Sequence, residues 1–407
     1  MDLHYVQGKS IFTTINKVPK QYPYLTEDIE TEVVVIGGGV TGAIVSYYMN
    51  QSGIDCTLIE KGRIAHGSTS ITTSLLQYEL DSNARELQQY TTLENVIHSY
   101  KLGIKALNEI DSFIKTYGNS CDYVKRDTLL YTNKEKESLE LKEEYNIRKS
   151  AGFDVDFINE ENNPLSFDIK GGVYSHNGGA ELDPYKYTHH LLNISYNNGL
   201  KIYENTEVIK VNYLEDRVEV ETEYNYKVKA KKVIIATGYD TDKFSFRKFG
   251  TKTVTYNIAT KPLSSLEGWA NKVLIRNNKD PYNYYRTTKD NRIIAGGEDI
   301  PFNPGIFNEE IAEEKYNKLL NNIKEVFPSI SNVQKEYCYC GAFASTNDNL
   351  GFIGPDSNNN NLWYCLGYGA NGILFAILGG MMLCKLYKGE RDEYLELFRI
   401  DRFDGKL

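Results

Sequence analysis

The segment from Glu32 to Gly42 constrains this chain more than any other. A β-branched run, Glu32-Val33-Val34-Val35-Ile36, has the texture of a strand buried on both faces, and it ends in Gly37-x-Gly39-x-x-Gly42. Val40 to about Asn50 then reads as a helix, Gly53 as a turn, and Cys56 to Ile59 as a second strand closed by Glu60. A glycine pattern that leaves a strand and opens a helix is a dinucleotide-binding fingerprint. Gly37 permits the tight turn, Gly39 lets the backbone approach a pyrophosphate at the helix N-terminus, and Gly42 lets the helix lie close on the strand. Glu60, eighteen residues past Gly42, stands where a carboxylate accepts from both ribose hydroxyls and disfavours a 2′-phosphate.

The rest of the chain reads in two textures. Leu87 to Lys115 and Asn133 to Ser150 have helical spacing. Beyond Ala151 come short alternating strands at Gly172 to Tyr174, Lys201 to Tyr203, Glu207 to Tyr213 and Arg217 to Glu223. Lys231 to Ala236, Thr251 to Ala259, Lys272 to Arg276, Asn291 to Gly297 and Tyr337 to Phe343 continue as strands, with a helix at Glu309 to Val326. A length of 407 residues fits one large or two intimately joined α/β domains. The expected fold is α/β, a Rossmann-type domain with an interleaved antiparallel-sheet substrate domain. The expected boundaries are an N-terminal extension over 1–30, a nucleotide domain from 31–80 with part of 150–240 and 340–407, and a substrate domain from part of 81–149 and 241–339.

Composition excludes several function classes. With 41% hydrophobic and 25% charged residues the chain is neither disordered nor fibrous, and a net charge of −9 argues against nucleic acid as partner. The longest apolar stretch, Gly372 to Cys384, is too short for a comfortable membrane span and reads as a buried helix, so no stable membrane insertion is expected. Met1 to Glu30 has no apolar signal core, which points to the cytoplasm. The six cysteines form no disulfide framework. Cys338 and Cys340 share a strand face without histidine partners, and His189 and His190 have no Asp or Cys at ligand spacing, so no metal is expected.

The choice between FAD and NAD rests on three later pieces. Arg63 to Thr69 carries a Gly67-Ser68-Thr69 turn whose hydroxyls and amides can meet a second phosphate. Ala236-Thr237-Gly238 closes a buried strand, and Gly367-Tyr368-Gly369-Ala370-Asn371-Gly372 opens the apolar helix. Together with Gly296-Gly297 and the Asp348 to Gly354 loop, their order and spacing resemble the D-amino-acid oxidase and glycine oxidase (DAO) family of flavoproteins, from Glu32 to Leu386. More narrowly, the segments around Pro23 to Gly39 and Gly67 to Asp81 are similar to a bacterial subgroup known only as FAD-dependent oxidoreductases.

The resemblance implies FAD as cofactor and assigns roles to residues. Gly37, Gly39 and Gly42 would sit on the pyrophosphate and Glu60, with Lys61 beside it, on the adenosine ribose. Ser68 and Thr69 would lie near the phosphates or the flavin, Val208 would meet adenine through its backbone, and Thr237 and Gly238 would join the same set. Gly369, Asn371 and Gly372 would place a helix N-terminus by the flavin pyrimidine, where its positive end favours the anionic reduced ring.

One departure stands out. Where the glycine-oxidase-like pattern reads Gly-Leu-Arg-Pro, with an Arg that clamps the substrate carboxylate, this chain has Gly341-Ala342-Phe343-Ala344. Phe343 offers no donors to a carboxylate. Arg286 either supplies that charge from another strand or is a surface residue at a strand end. Tyr78 and Tyr282 are candidates for the substrate side, although with 32 tyrosines in the chain packing is the commoner role. The implied activity is oxidation of a small amine or amino acid by hydride transfer to the flavin, with oxygen or another electron acceptor. Two alternatives remain: an FAD-binding structural or sensing protein without turnover, and an NAD-linked dehydrogenase, which the late glycine-rich helix start disfavours.

Overall fold

The computed structural model describes residues 5–303, 308–369 and 371–404. The chain forms two compact units, one from Ile15–Ser70, Pro184–Thr251 and Ala344–Leu407, the other from Met1–Thr14, Ile71–Asp183 and Lys252–Phe343.

The first unit holds the parallel sheet. Its strands run in the order Phe352–Pro355, Leu362–Leu366, Lys227–Ile235, Ile29–Ile36, Cys56–Ile59, Lys201–Tyr203, and all neighbours are parallel except the first pair. Val33, Val34 and Val35 are fully buried, as expected of a central strand covered on both faces. Val208–Tyr213 and Val218–Thr222 extend Lys227–Ile235 as an antiparallel meander. The helix Val40–Gln51 follows the strand Ile29–Ile36, and the apolar helix Gly372–Tyr387 packs against it. A Cβ on Gly380 would lie 2.5 Å from the Tyr48 ring, so glycine sets that close approach. No helix among the described residues is long and apolar enough to cross a membrane.

The second unit holds a ten-stranded sheet, antiparallel apart from the pair Leu274–Asn277 and Val124–Thr132. Its order is Val6–Gly8, Lys335–Ser345, Thr251–Thr260, Ile293–Pro301, Asn283–Thr287, Leu274–Asn277, Val124–Thr132, Gly171–Glu181, Leu75–Gln77, with Val155–Ile158 also on Gly171–Glu181. The helix Glu309–Val326 covers one face through Ala312, Tyr316, Leu319 and Ile323, which pack with Tyr256, Ile258, Ile293, Ala295 and Tyr285. The residues alternating with these point to the opposite face.

Some boundaries differ from the sequence reading. The strand Leu75–Gln77, inside the 31–80 span expected in the nucleotide domain, belongs to the ten-stranded sheet. Val6–Gly8, inside the expected 1–30 extension, pairs with Lys335–Ser345 as an edge strand, and Gly171–Glu181 falls in the part of 150–240 that the ten-stranded sheet takes. Val124–Thr132 was not anticipated, because Lys125, Arg126 and Asp127 follow its exposed first residue and only its second half is continuously buried. Leu362–Leu366 was missed as well: five buried residues are too few to declare a period.

Candidate functional site

In the parallel-sheet unit the predicted cofactor residues converge. Gly37 has φ 112°, and a Cβ there would lie 2.5 Å from the Ala236 carbonyl oxygen, so the turn after the first strand passes directly under the end of the neighbouring one. A Cβ on Gly42 would lie 1.8 Å from the Gly37 carbonyl oxygen, so the helix closes onto the turn itself. Gly39 is the helix N-cap and has no side chain to cap with; the Thr69 hydroxyl accepts from the Val40 N–H at 2.9 Å instead. The Gly67-Ser68-Thr69 turn, a single 3₁₀ turn at Ser68–Ser70, thus abuts the helix start, where backbone donors and the helix dipole favour an anion.

Glu60 is held in place by amides. Its Oε2 accepts from the Gly38 N–H at 2.6 Å and its Oε1 from the Gly62 N–H at 2.8 Å. Burial raises its pKa, while those two amide bonds pull it down. Each oxygen has a lone pair left for a hydroxyl donor. Gly37, Glu60, Lys61, Val208 and Thr237 line one crevice with about 420 Å³ of empty space, open solvent included. Thr206, Glu207, Asp240, Lys243 and Phe244 line it too, and sequence reasoning missed them. The Ala236-Thr237-Gly238 strand end was the signal that could have found the last three. Two ion pairs border the crevice, Lys61 with Asp240 at 2.6 Å and Lys243 with Glu207 at 2.6 Å.

The late glycine motif reaches the same neighbourhood. The Tyr368 hydroxyl donates to the Gly238 carbonyl at 3.1 Å, and a Cβ on Gly238 (φ 60°) would come within 3.9 Å of Ser68 Oγ. Gly369 has φ 78° and donates its N–H to the Ala344 carbonyl at 2.8 Å. Gly367 and Gly372 approach so closely that a Cβ on either would lie 2.3–2.5 Å from the other's carbonyl oxygen. Asn371, 3% exposed, is the N-cap residue of Gly372–Tyr387, and its side chain makes no cap bond. Ala370 lies outside the described residues. The glycine turn and the fixed carboxylate beside one crevice fit a dinucleotide, and Ser68, Gly238 and Tyr368 come together next to it.

In the ten-stranded unit the substrate-side candidates separate. The Tyr282 ring, just before the strand Asn283–Thr287, stands 5.8 Å from that of Tyr284. Tyr284 and Arg286 alternate with Tyr285, which packs under the helix, so they share the opposite face. Phe343, half-buried, shares it too, because Cys340 on the same strand packs on the helix side. Arg286 is no surface residue. It is 3% exposed and donates from Nε to the Thr73 carbonyl, from one Nη to Thr287 at 2.9 Å and from the other to Leu182 at 3.1 Å. Burial lowers its pKa, partly opposed by Glu181. Three of its five N–H donors thus tie three backbone segments together, which makes it first a staple.

Tyr78 is not part of that group. It is 2% exposed, its hydroxyl lies 3.2 Å from Ser175 Oγ and 3.5 Å from Arg148, and its ring stacks on Phe153 at 5.0 Å. Arg148, fully buried, bonds Glu144 at 2.7 Å and lies 3.7 Å from Glu79. Glu144 also accepts from the Tyr100 hydroxyl at 2.9 Å and the Ala84 N–H at 2.7 Å. This buried ionic cluster, with no open side, gives Tyr78 a structural task that sequence could not reveal. Among the described residues no group of three or more His, Cys, Asp or Glu is arranged to hold a metal ion.

Residues 32–386 match the family described as DAO, FAD dependent oxidoreductase. The chain is similar to the glycine oxidase of Bacillus subtilis, at 22% identity over 91% of this chain and 97% of that one. It is also similar to the gamma-glutamylputrescine oxidoreductase of Escherichia coli, at 24% identity over 91% of this chain and 86% of that one. The glycine oxidase structure from Geobacillus kaustophilus superposes with a TM-score of 0.78 at 17% identity, covering 91% of this chain and 98% of that one, and so shares its fold.

Proposed function

Because the chain belongs to the DAO family of FAD-dependent oxidoreductases, we propose that it oxidises a small amine or amino acid by loss of the α-hydride, leaving an imine that hydrolyses in water. FAD, when bound, supplies the acceptor for that hydride. Glu60 holds the adenosine ribose, with Lys61 and Val208 on either side of the crevice. The turn at Gly37 to Gly42 meets the pyrophosphate, and Ser68, Thr69, Thr237, Gly238, Gly369, Asn371 and Gly372 hold the remainder. The single observation that carries this reading is Glu60 fixed by two backbone amides at the mouth of a glycine turn.

The substrate side rests on the face that carries Tyr284, Arg286 and Phe343, with the Tyr282 ring near that of Tyr284. Positioning and exclusion of water do the catalytic work there, with no obligatory side-chain base. Glycine oxidase and gamma-glutamylputrescine oxidoreductase, the two relatives named above, carry an amino acid and an amine-bearing compound in their names, which supports that substrate class. Phe343 puts an apolar surface where glycine-oxidase-like relatives place a carboxylate clamp. The test is anaerobic mixing of the FAD-loaded protein with amines and amino acids while following flavin bleaching. Bleaching by at least one of them supports the reading; FAD bound at one per chain with no bleaching by any would replace it with a non-catalytic flavoprotein, and a bound NAD would overturn it.

A further inference from the structure

On the face opposite the helix Glu309–Val326, the ten-stranded sheet carries an acid, Asp299, with one carboxylate oxygen left without a partner among the described residues. Between Thr251–Thr260 and Ile293–Pro301 the pairing slips: Tyr256 faces Gly297, yet Val254 faces Ile300. Two residues, Glu298 and Asp299, therefore stand against Thr255 alone, and Glu298 takes a left-handed φ of 59°. The bulge sends the two carboxylates opposite ways. Glu298 meets Lys318 at 2.5 Å on the helix side. Asp299 hydrogen-bonds Thr255 and acts electrostatically on Tyr282 and Tyr284, as well as on Tyr256.

The surroundings of Asp299 are made for positive charge. The Tyr282 and Tyr284 rings stand 5.8 Å apart, and Tyr284 lies so flat across the sheet that a Cβ on Gly296 would come within 2.4 Å of it. The strongest charged influences on Asp299 are other acids, namely Asp81, Glu298 and Asp280. Arg276, 5% exposed and 5.7 Å from the Tyr282 ring centroid, has its two terminal nitrogens on the Leu80 and Asp81 carbonyls. Arg286 is committed to three carbonyls, as described above.

Buried polar atoms on this face that lack partners among the described residues include Asp299 Oδ1, the Tyr339 hydroxyl, Thr253 Oγ1 and Arg276 Nε. Asp299 Oδ1 is shut away from solvent without a hydrogen-bond partner among the described residues. The hydroxyl of Tyr339, a residue 0% exposed that alternates with Cys340 and so shares this face, is in the same condition and acts electrostatically on Tyr284. A buried carboxylate oxygen left this way costs free energy unless something donates to it. With no cluster of three metal-ligating side chains among the described residues, an organic ammonium is the better match, because it donates to the carboxylate and is attracted to ring faces together.

Building on the proposed amine oxidation, we propose that Asp299, together with the Tyr282 and Tyr284 rings, receives a second cationic group of the substrate, so that the compound oxidised is one end of a diamine-type molecule. Phe343, without donors and on the same face, is suited to the methylene chain between the two nitrogens. A site built to accept from an ammonium discriminates against an analogue that lacks it, because the carboxylate is then left buried and unpaired.

The test uses FAD-loaded full-length protein at pH 7.5 with three probes of matched length: 1,4-diaminobutane, n-butylamine and 4-aminobutyrate. Calorimetry should show the diamine binding roughly tenfold or more tighter than butylamine, with 4-aminobutyrate weakest. Asp299→Asn should bring the diamine-to-butylamine ratio close to one, and Tyr284→Leu should lower it less. Equal binding of diamine and butylamine, or a ratio unchanged in a folded Asp299→Asn, overturns the proposal; if Asp299→Asn does not fold, Asp299→Ser takes its place. Parallel anaerobic bleaching keeps the two readings apart. A diamine preference in binding with no bleaching by any amine sinks the oxidation reading and leaves the cation site, whereas bleaching without the preference sinks only the cation site.

Discussion

Glu60 and Asp299 are both carboxylates withdrawn from water, and burial raises the pKa of each, yet the two sheets treat them differently. In the parallel sheet, Glu60 is met by the Gly38 and Gly62 amides, so its geometry is set by backbone that a glycine turn dictates. In the ten-stranded sheet, Asp299 owes its direction to a bulge and has mainly other acids for charged neighbours. A site assembled from backbone persists through side-chain change and suits a cofactor common to a family. A site assembled from side chains on one sheet face varies freely and suits discrimination among substrates.

The sharpest way to break this contrast is at the turn. Gly42→Val would drive a side chain into the Gly37 carbonyl, 1.8 Å from where its Cβ must stand. It should abolish FAD retention and destabilise by roughly 3 kcal/mol, read by flavin absorbance after gel filtration and by urea unfolding. Retained FAD at one per chain would show that the turn is not where the cofactor binds. Arg148→Met tests the other unit. Removing the guanidinium leaves Glu79 and Glu144 buried near one another, at a cost of about 3–5 kcal/mol, while the protein that remains folded keeps its FAD. Adding Glu144→Gln should recover part of that loss in the same titration.

Smaller effects sharpen the comparison of the two acids. Glu60→Gln leaves the ribose hydroxyls one acceptor oxygen and no charge, so FAD affinity should fall by about 1.5–3 kcal/mol, a larger loss than that in the stability of the apoprotein. An equal loss in both quantities would make Glu60 structural. Asp299 should reveal itself through pH. Its folded pKa is pushed up to about 6 from 3.8 by burial first, opposed by the Thr255 hydrogen bond and reinforced by Asp81, Glu298 and Asp280. The folded state therefore binds the proton more tightly than the unfolded one, so the cost is absent below the unfolded value, grows as pH rises and is complete above about 6. Asp299→Asn should be more stable than the parent by on the order of 2 kcal/mol at pH 8 and nearly equal to it at pH 4. Parallel stability curves for the two proteins would contradict this assignment.

What the sequence revealed follows the same division. Gly37, Gly39, Gly42 and Glu60 were legible because a turn, a helix start and a strand end impose residue types at fixed spacing, and those spacings lie within one βαβ unit. Thr237, Gly238 and the glycines around Tyr368 could be placed by the strand or helix each one borders. The ten-stranded face was hardly legible. Tyr284, Thr255, Asp299 and Tyr339 sit on four strands brought together only by the sheet order, and the bulge that aims Asp299 depends on a register slip that no local pattern announces. Arg286 and Tyr78 show the same blindness from the other side. Both looked like site residues, and only their carbonyl, Ser175 and Arg148 partners show how firmly each is bound into the interior.

The order in which the parallel sheet draws on the chain has a consequence for its synthesis. Ile29–Ile36 and Lys227–Ile235 pair early in sequence, but the strand that covers the far edge of Lys227–Ile235 is Leu362–Leu366. At roughly 5–20 residues added per second, Leu366 leaves the ribosome roughly 15–70 s after Ile36. Once Ile235 is made, the amide and carbonyl groups at the Val233–Ile235 end wait roughly 7–26 s of that interval for Leu362–Tyr364, and such an edge recruits strands from neighbouring nascent chains. Crowded translation should therefore trap this protein in insoluble assemblies, and sparse translation at low temperature should release it as folded enzyme.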